Sequence, residues 1–156
     1  MSEVIITGSF DPITEGHMDI IRRAANIFDN VAVVMFINPE KKYMFEKDDR
    51  LEMIKAACQG IKSVRVDESD GMVIDYAAKN GIKTVVRGVR NVIDYEYETK
   101  MAAFNKEKGG VETVFFMAEE RLCDCSSTEV RRRIEKGETL EGIVPREVLE
   151  MANRPF

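Results

Sequence analysis

The hydrophobic residues of this chain fall into two alternating patterns. Short runs that are apolar at nearly every position occupy residues 4–6, 31–37, 64–66, 84–86 and 112–116. Uninterrupted runs of this kind are typical of strands whose two faces are both covered by other elements. Because they lack the polar alternation of a half-exposed strand, they predict a buried parallel sheet of five strands.

Between these runs, apolar residues recur at helical spacing. The segments with this spacing are 18–28, 47–58, 72–80, 94–108 and 126–136, and a last short helix is expected to open at Pro145. Strand and helix patterns that alternate in this way predict an α/β fold with helices on both faces of the sheet. The sequence therefore predicts a Rossmann-like, doubly wound, five-stranded parallel sheet that forms a single domain over residues 1–156.

The composition narrows the class of protein and its compartment. The chain of 156 residues is long enough for one domain with a real core, and no apolar run approaches the ~18 residues of a membrane span. No basic flank or cleavage site marks a signal peptide before the first strand. The three cysteines, Cys58, Cys123 and Cys125, are odd in number and do not suggest a disulfide framework or a metal site. We therefore expect a cytoplasmic protein with reduced thiols and no membrane partner.

The formal net charge of −5 argues against a nucleic-acid partner, so an anionic ligand would need a local basic pocket. Ligands of doubly wound folds bind at the carboxyl ends of the strands. Cationic and hydroxyl side chains follow four of the predicted strands at that edge: the loop 8–17 with His17, then Lys41 and Lys42, then Arg87 and Arg90, and finally Ser126, Ser127, Thr128 and Arg131. In an acidic chain, this clustering of cationic and hydroxyl side chains at one edge of the sheet predicts a site for a highly phosphorylated ligand.

Each of these candidates also has a purely structural explanation. His17 could satisfy the start of a helix through a local hydrogen bond, and Lys41 and Lys42 could be solvated in a loop. Arg87 and Arg90 come directly after a buried run, where an arginine is costly unless it is paired or bound to an anion. The functional interpretation depends on the convergence of all the strand ends.

The predicted helix start at 126–128 allows both kinds of explanation at once. Ser126 with Glu129 three residues later fits a capping box. A helix N-terminus is also a natural phosphate site, so capping and phosphate binding are compatible there. Of the consecutive arginines 131–133, Arg131 is the best candidate for the site, because it follows Ser127 by one helical turn.

Taken together, these segments resemble a known superfamily. The loop 8–17 ends in T-x-G-H, residues 87–90 are R-G-V-R, and residues 126–131 are S-S-T-E-V-R. In these motifs the chain resembles the nucleotidylyltransferase superfamily. The segments 39–45 and 87–98, with Asn105, make it similar to the bacterial phosphopantetheine adenylyltransferases within that superfamily. The resemblance extends from Val4 to about Leu149.

The resemblance implies a reaction and a set of site residues. ATP and 4′-phosphopantetheine would give dephospho-coenzyme A and pyrophosphate in coenzyme A biosynthesis, with Mg²⁺ as the cofactor and a homohexamer as the assembly. The implied catalytic residues are His17, Lys41 and Arg90. The residues implied to bind phosphopantetheine are Ser9, Lys41, Met72, Arg87 and Asn105. Those implied to bind ATP are Gly8, Ser9, Phe10, His17, Gly88, Arg90, Glu98, Ser126, Ser127 and Thr128.

The implied chemistry needs no general base, because the attacking phosphate oxygen is already anionic at neutral pH. The protein must supply alignment and charge stabilisation. His17 and Lys41 are therefore expected to donate to the α-phosphate during in-line attack, without a covalent enzyme intermediate.

Two alternatives stay open at this point. The acceptor could be nicotinamide mononucleotide or glycerol 3-phosphate, in a related nucleotidylyltransferase. The chain could also be a non-catalytic nucleotide-binding domain on the same fold.

Overall fold

The computed structural model describes residues 2–153 and contains a five-stranded parallel sheet. The strands are β1 (Glu3–Gly8), β2 (Asn30–Phe36), β3 (Val64–Ser69), β4 (Thr84–Val89) and β5 (Glu112–Met117), in the spatial order β3-β2-β1-β4-β5. The predicted parallel sheet is confirmed. Because the chain winds outward in opposite directions from β1, the crevice for a ligand lies between the carboxyl ends of β1 and β4.

Helices cover both faces of this sheet, as the sequence predicted. They are α1 (Glu15–Ile27), α2 (Lys47–Cys58), α3 (Val73–Asn80), α4 (Val92–Gly109), α5 (Ser127–Lys136) and the short α6 (Leu149–Ala152), with 3-10 turns at Glu120–Leu122 and Arg146–Val148. Alternate residues of the strands enter two separate apolar clusters. Val4 and Ile6 of β1 join the cluster under α1, α2 and α5, whereas Ile5 joins the cluster under α3.

Two strands run further than the apolar runs indicated. The predicted strand 64–66 continues to Ser69, and the predicted strand 84–86 continues to Val89. The extension of β4 pairs Gly88 with Phe116 and Val89 with Met117 of β5. Arg87 and Gly88 therefore lie inside the last part of a strand rather than after it, which fixes their backbone in the sheet.

The helix ends are largely those that the sequence predicted. Helices α3, α4 and α5 are each followed by a glycine in the left-handed conformation, namely Gly81, Gly110 and Gly137. Helix α4 begins at Val92, two residues before the predicted start, because the Asn91 side chain caps it by accepting from the Asp94 N–H at 2.9 Å.

The capping box predicted at Ser126 and Glu129 is only half formed. Ser126 Oγ accepts from the Glu129 N–H at 3.1 Å, as expected. The Glu129 carboxylate does not reach back to the start of the helix. It instead accepts from Arg132 and Arg133, at 2.8 Å each. The two arginines that follow Arg131 are thereby bound to a neighbouring carboxylate on their own helix.

No helix within residues 2–153 is long and apolar enough to cross a membrane. Cys58, Cys123 and Cys125 are free thiols. The prediction of a single domain over 1–156 includes residue 1 and residues 154–156, which lie outside the described residues, and it stays a prediction.

Candidate active site

A cleft of about 330 Å³ opens at the carboxyl ends of β1 and β4. Most of the side chains that the sequence singled out line it: Gly8, Ser9, Phe10, His17, Lys41, Arg87, Gly88, Arg90, Glu98, Ser126, Ser127, Thr128 and Arg131. The structure thus brings together residues from five separate segments of the chain. Their individual roles toward a ligand stay predictions.

His17 lies in the first turn of α1, half-buried in the wall of the cleft. Its Nδ1 accepts from the Thr14 N–H at 3.0 Å, and Thr14 Oγ1 accepts from the His17 N–H at 3.3 Å. This reciprocal arrangement is a capping box in which a histidine replaces the usual glutamate or glutamine. The local hydrogen bond considered from the sequence therefore exists, and it occupies only one of the two ring nitrogens.

The capping contact also fixes the tautomer of His17. A backbone N–H can only donate, so Nδ1 must be the unprotonated nitrogen and the proton of the neutral ring is on Nε2. Burial, and to a lesser extent the positive charges of Arg87 and Arg90, together lower the pKa of His17 from 6.5 to about 4. At neutral pH, His17 is therefore an uncharged donor through Nε2–H.

The loop between β1 and α1 is tied to the start of α5 by three side-chain contacts. Thr14 Oγ1 donates to the Cys125 carbonyl at 3.0 Å, and Ser127 Oγ donates to the Pro12 carbonyl at 2.8 Å. Arg131 Nη1 donates to the Asp11 carbonyl at 2.8 Å. Two helix N-termini, those of α1 and α5, are thus held side by side at the cleft, an arrangement suited to a chain of phosphates.

Gly16 makes this close approach possible. A Cβ atom at this position would lie 2.6 Å from the Cys125 carbonyl oxygen, far inside van der Waals contact. The glycine of the T-x-G-H motif is therefore required by the packing of α1 against the segment before α5. Phe10, in the same loop, adopts a positive φ of 47°, and its ring packs against the His17 ring in a T-shaped arrangement with centroids 4.9 Å apart.

Arg87 and Glu98 form a bidentate ion pair on one side of the cleft. Arg87 donates from Nε at 2.9 Å and from Nη2 at 2.7 Å to the two carboxylate oxygens. Its Nη1 donates to the carbonyl and the hydroxyl of Thr7, at 2.6 and 2.8 Å. These bonds use four of the five N–H groups of the guanidinium, so a phosphate bound by Arg87 would accept from the second Nη2–H without displacing Glu98 or Thr7.

A second, smaller cavity of about 150 Å³ lies behind this ion pair. Arg87, Glu98 and Thr7 line both cavities, and Asn105 lines only the smaller one. Met72 precedes α3 and lines neither cavity, although it is about half exposed. The structure therefore places Asn105 next to the main cleft and leaves Met72 outside both described cavities.

The cationic side chains differ in how strongly the protein holds them. Arg90 donates through Nε to Asp94 at 2.9 Å, and Asp94 also lines the cleft. Lys41 is exposed, with its Nζ 5.5 Å from the centre of the Tyr43 ring. Lys42 does not line the cleft. Of the two lysines that follow β2, only Lys41 lines the cleft.

Several residues that shape the site were not singled out by the sequence. Asp11 and Thr14 lie inside the loop 8–17, which the sequence did single out. Their buried contacts, however, are made with residues more than thirty positions away in the sequence. Arg50 stands among acidic residues at the start of α2 and would be taken for a solvated side chain, yet it is only 1% exposed. Nothing in the local pattern distinguishes it from the exposed charges beside it.

Comparison with known proteins agrees with this geometry. The sequence model of the Cytidylyltransferase-like family matches residues 5–133, which include most of β1, all of β2 to β5 and most of α5. The crystal structure of a lipopolysaccharide core biosynthesis protein from Thermoplasma volcanium superposes with a TM-score of 0.55 at 17% identity, over 76% of this chain and 97% of that one. This likeness shows the fold. Fold and cleft together define a Cytidylyltransferase-like protein.

Two sequence relatives are more specific. The phosphopantetheine adenylyltransferase of Clostridium novyi is 38% identical over 151 residues, which cover 96% of this chain and 94% of that protein. The phosphopantetheine adenylyltransferase of Symbiobacterium thermophilum is 41% identical over 146 residues, or 93% of this chain and 90% of that protein. The chain belongs to the phosphopantetheine adenylyltransferase family.

Proposed function

We propose that this protein transfers the adenylyl group of ATP to 4′-phosphopantetheine, giving dephospho-coenzyme A and pyrophosphate in coenzyme A biosynthesis. The observation that carries the proposal is the cleft itself. It combines two helix N-termini, a neutral histidine donor and four cationic side chains, and it belongs to a chain whose relatives over nearly their full length are named phosphopantetheine adenylyltransferases.

In the proposed reaction, the triphosphate of ATP binds along the loop between β1 and α1 and the start of α5. Gly8, Ser9 and Phe10 approach it with their backbone, and Ser126, Ser127 and Thr128 offer N–H groups at the N-terminus of α5. Arg90 supplies a positive charge for the β- and γ-phosphates, which leave as pyrophosphate. Gly88 and Glu98 complete the nucleotide side of the cleft.

The chemical step is an in-line attack by a phosphopantetheine phosphate oxygen on the α-phosphate. The oxygen is already anionic, so no base is needed, and charge builds on the non-bridging oxygens of the α-phosphate. His17 donates to them through Nε2–H, and because its pKa is about 4 the ring is neutral at pH 7 and its Nδ1 still accepts from the Thr14 N–H, which holds the donor in place. Lys41 and Arg87 hold the acceptor phosphate for the attack, and no covalent enzyme intermediate forms.

The pantetheine arm would extend from that phosphate past the Arg87–Glu98 ion pair. The smaller cavity, with Asn105 in its wall, offers a polar contact for an amide group of the arm. Ser9 would contact both substrates, because it lies in the middle of the loop that starts the cleft. Met72 would contact the arm only at the outer end of the groove, since it lines neither cavity.

Mg²⁺ would act as part of the substrate. Among residues 2–153, no three histidine, cysteine, aspartate or glutamate side chains are grouped so that they could hold a metal ion. We propose that Mg²⁺ enters bound to the phosphates of ATP, whose charge it partly neutralises.

The proposed assembly is a homohexamer in the cytoplasm. Helix α4 supports self-association, because it exposes large apolar side chains that a monomer would leave in water: Val92, Ile93, Tyr95, Tyr97, Met101 and Phe104. The three free thiols are consistent with a reducing compartment. Light scattering coupled to size-exclusion chromatography would measure the assembly, and a monomer mass would contradict it.

The function is tested by a pyrophosphate-release assay with MgATP and one acceptor at a time. We expect turnover with 4′-phosphopantetheine and none above background with nicotinamide mononucleotide or glycerol 3-phosphate. Turnover with one of the latter would assign the chain to a different acceptor. Binding of ATP without turnover on any acceptor would favour a non-catalytic nucleotide-binding domain.

A further inference from the structure

Lys41 is carried by an exposed turn, residues 38–42, which we call the Lys41 turn. The hydrogen bonds within it join the Lys41 N–H to the Asn38 carbonyl at 3.1 Å and the Glu40 N–H to Asn38 Oδ1 at 3.0 Å. These bonds shape the turn, but they do not fix it against the cleft. The position of the lysine must therefore be set by the residues that connect the turn to the core.

Tyr43 is the connecting residue. Its hydroxyl accepts from the Asn38 N–H at 2.9 Å, at the start of the Lys41 turn. The Lys41 ammonium lies 5.5 Å from the centre of its ring, and the guanidinium carbon of Arg50 lies 3.8 Å from the same centre. Tyr43 therefore contacts both the Lys41 turn, through Asn38 and Lys41, and the buried guanidinium of Arg50.

Arg50 links this ring to the phosphate-binding loop. It is 1% exposed, donates through Nη1 to the Ser9 carbonyl at 2.8 Å, and donates through Nε to the Phe45 carbonyl at 3.2 Å. Among residues 2–153 no carboxylate forms an ion pair with it. A buried guanidinium held only by carbonyl groups and a ring is a poor source of stability, so its geometry needs another explanation.

Asp11 fixes the same segment from the loop side. Its side chain is 3% exposed, and its two carboxylate oxygens accept from the Met44 N–H at 2.8 Å and the Phe45 N–H at 2.9 Å. The backbone just after Tyr43 is thus bonded to the β1–α1 loop at two points, through Arg50 and through Asp11. Both points lie within two residues of Ser9.

We propose that Arg50 is a positioning residue for Lys41. By spanning Ser9, Phe45 and the Tyr43 ring, it sets the distance between the loop that binds the triphosphate and the turn that binds the acceptor phosphate. Asp11 supports it by holding the backbone of the segment. The inference rests on the proposed function, in which Lys41 binds the acceptor phosphate.

The test is Arg50→Lys, which keeps the positive charge but loses the planar fork that bonds to two carbonyl groups. We expect the kcat/KM for 4′-phosphopantetheine to fall about tenfold through KM, with the KM for ATP changed by less than about twofold. Arg65→Lys is the matched control. Arg65 of β3 donates to Glu3 of β1 and to Tyr76 of α3, and it lines neither cavity. Its substitution should therefore change neither the KM for 4′-phosphopantetheine nor the KM for ATP.

A double-mutant cycle separates positioning from a general loss of structure. In a Lys41→Ala background, Arg50→Lys should cost less than about twofold, because the residue that it positions is already absent. If Arg50→Lys does not fold, Tyr43→Leu takes its place in the same cycle with the same expected values. The inference would be overturned if Arg50→Lys lowered the kcat/KM for 4′-phosphopantetheine equally in the wild-type and Lys41→Ala backgrounds, or if it raised the KM for ATP as much as the KM for 4′-phosphopantetheine. Either result would leave the proposed function intact. Wild-type protein without turnover would overturn the proposed function and the inference with it.

Discussion

The two walls of the cleft are built in opposite ways. On one wall, the β1–α1 loop and the start of α5 are joined by the hydrogen bonds of Thr14, Ser127 and Arg131, at 2.8 to 3.0 Å. On the other wall, Lys41 stands on an exposed turn, and the Tyr43 side chain and the Asp11-bonded backbone after it connect this turn to the core. Each wall contributes positive or hydrogen-bonding groups, but among residues 2–153 no side-chain hydrogen bond or ion pair holds the Lys41 ammonium, whose ring contact with Tyr43 is 5.5 Å long.

This difference suits the two substrates of the proposed reaction. Charge develops at the α-phosphate, and donors that are already oriented stabilise it most because they need no reorganisation during the reaction. The acceptor phosphate must enter, attack and leave as part of a product, so a cation on a turn can follow it. The fixed wall should therefore control turnover, and the exposed wall should control the use of the acceptor.

The largest effect is expected at His17, on the fixed wall. His17→Ala removes the Nε2–H donor, and we expect kcat to fall about 10²–10³-fold, the usual cost of losing one donor to a developing oxyanion. Pyrophosphate release at saturating concentrations of both substrates would measure it. Turnover close to wild type would contradict the assignment of His17.

A matched variant separates the chemistry of His17 from its capping role. Glutamine is a usual residue at this position of a capping box, so His17→Gln retains an acceptor for the Thr14 N–H. We expect its unfolding free energy to stay within about 0.5 kcal/mol of wild type, whereas His17→Ala should lose about 1 kcal/mol. Both variants should be slow if the ring donor carries the effect.

The next effect is on stability at acidic pH. The pKa of His17 is about 4 in the folded protein and 6.5 when unfolded, so between these values the unfolded chain binds a proton that the folded protein excludes. Stability is therefore complete above pH 6.5 and is lost as the pH falls toward 4, by up to about 3 kcal/mol. Urea unfolding of wild type and His17→Gln over this range would measure the difference. Because His17 is the only histidine, the two pH profiles should diverge below pH 6.5, and parallel profiles would contradict the lowered pKa.

On the exposed wall, Lys41→Ala is expected to raise the KM for 4′-phosphopantetheine about tenfold or more and to leave ATP binding nearly unchanged. Titration calorimetry with each substrate would separate the two. Lys42→Ala is the control, because Lys42 neighbours Lys41 in sequence but does not line the cleft. A larger loss for ATP than for phosphopantetheine would move Lys41 to the nucleotide side and remove the contrast between the walls.

The sequence predicted the fixed wall better than the exposed one, for a physical reason. Strand runs and helix starts are local patterns, so the sheet, the loop 8–17 and the start of α5 could be located from periodicity and from the rule that ligands bind at strand ends. The contacts of Arg50, Asp11 and Thr7 are long-range bonds to backbone carbonyl or amide groups or to a distant guanidinium. Such bonds leave no periodic signal. The extension of β4 through Gly88 was also invisible, because its last residues are specified by pairing with β5 rather than by an apolar run.

The smallest expected effect tests whether the hydrogen bonds between the β1–α1 loop and the start of α5 hold these two segments of the fixed wall together. Ser127→Ala removes the hydroxyl that donates to the Pro12 carbonyl and should lower the unfolding free energy by about 1 kcal/mol. Thr99→Ala removes a bond of the same chemistry, from a hydroxyl to a carbonyl, but within one exposed turn of α4, and should cost less than about 0.5 kcal/mol. Urea midpoints at equal protein concentration would compare the two. Since the Ser127 bond joins segments 115 residues apart, its loss should also raise the KM for ATP, whereas Thr99→Ala should not. Equal, small losses with no change in that KM would mean that packing around Gly16, rather than hydrogen bonding, holds the two helix N-termini together.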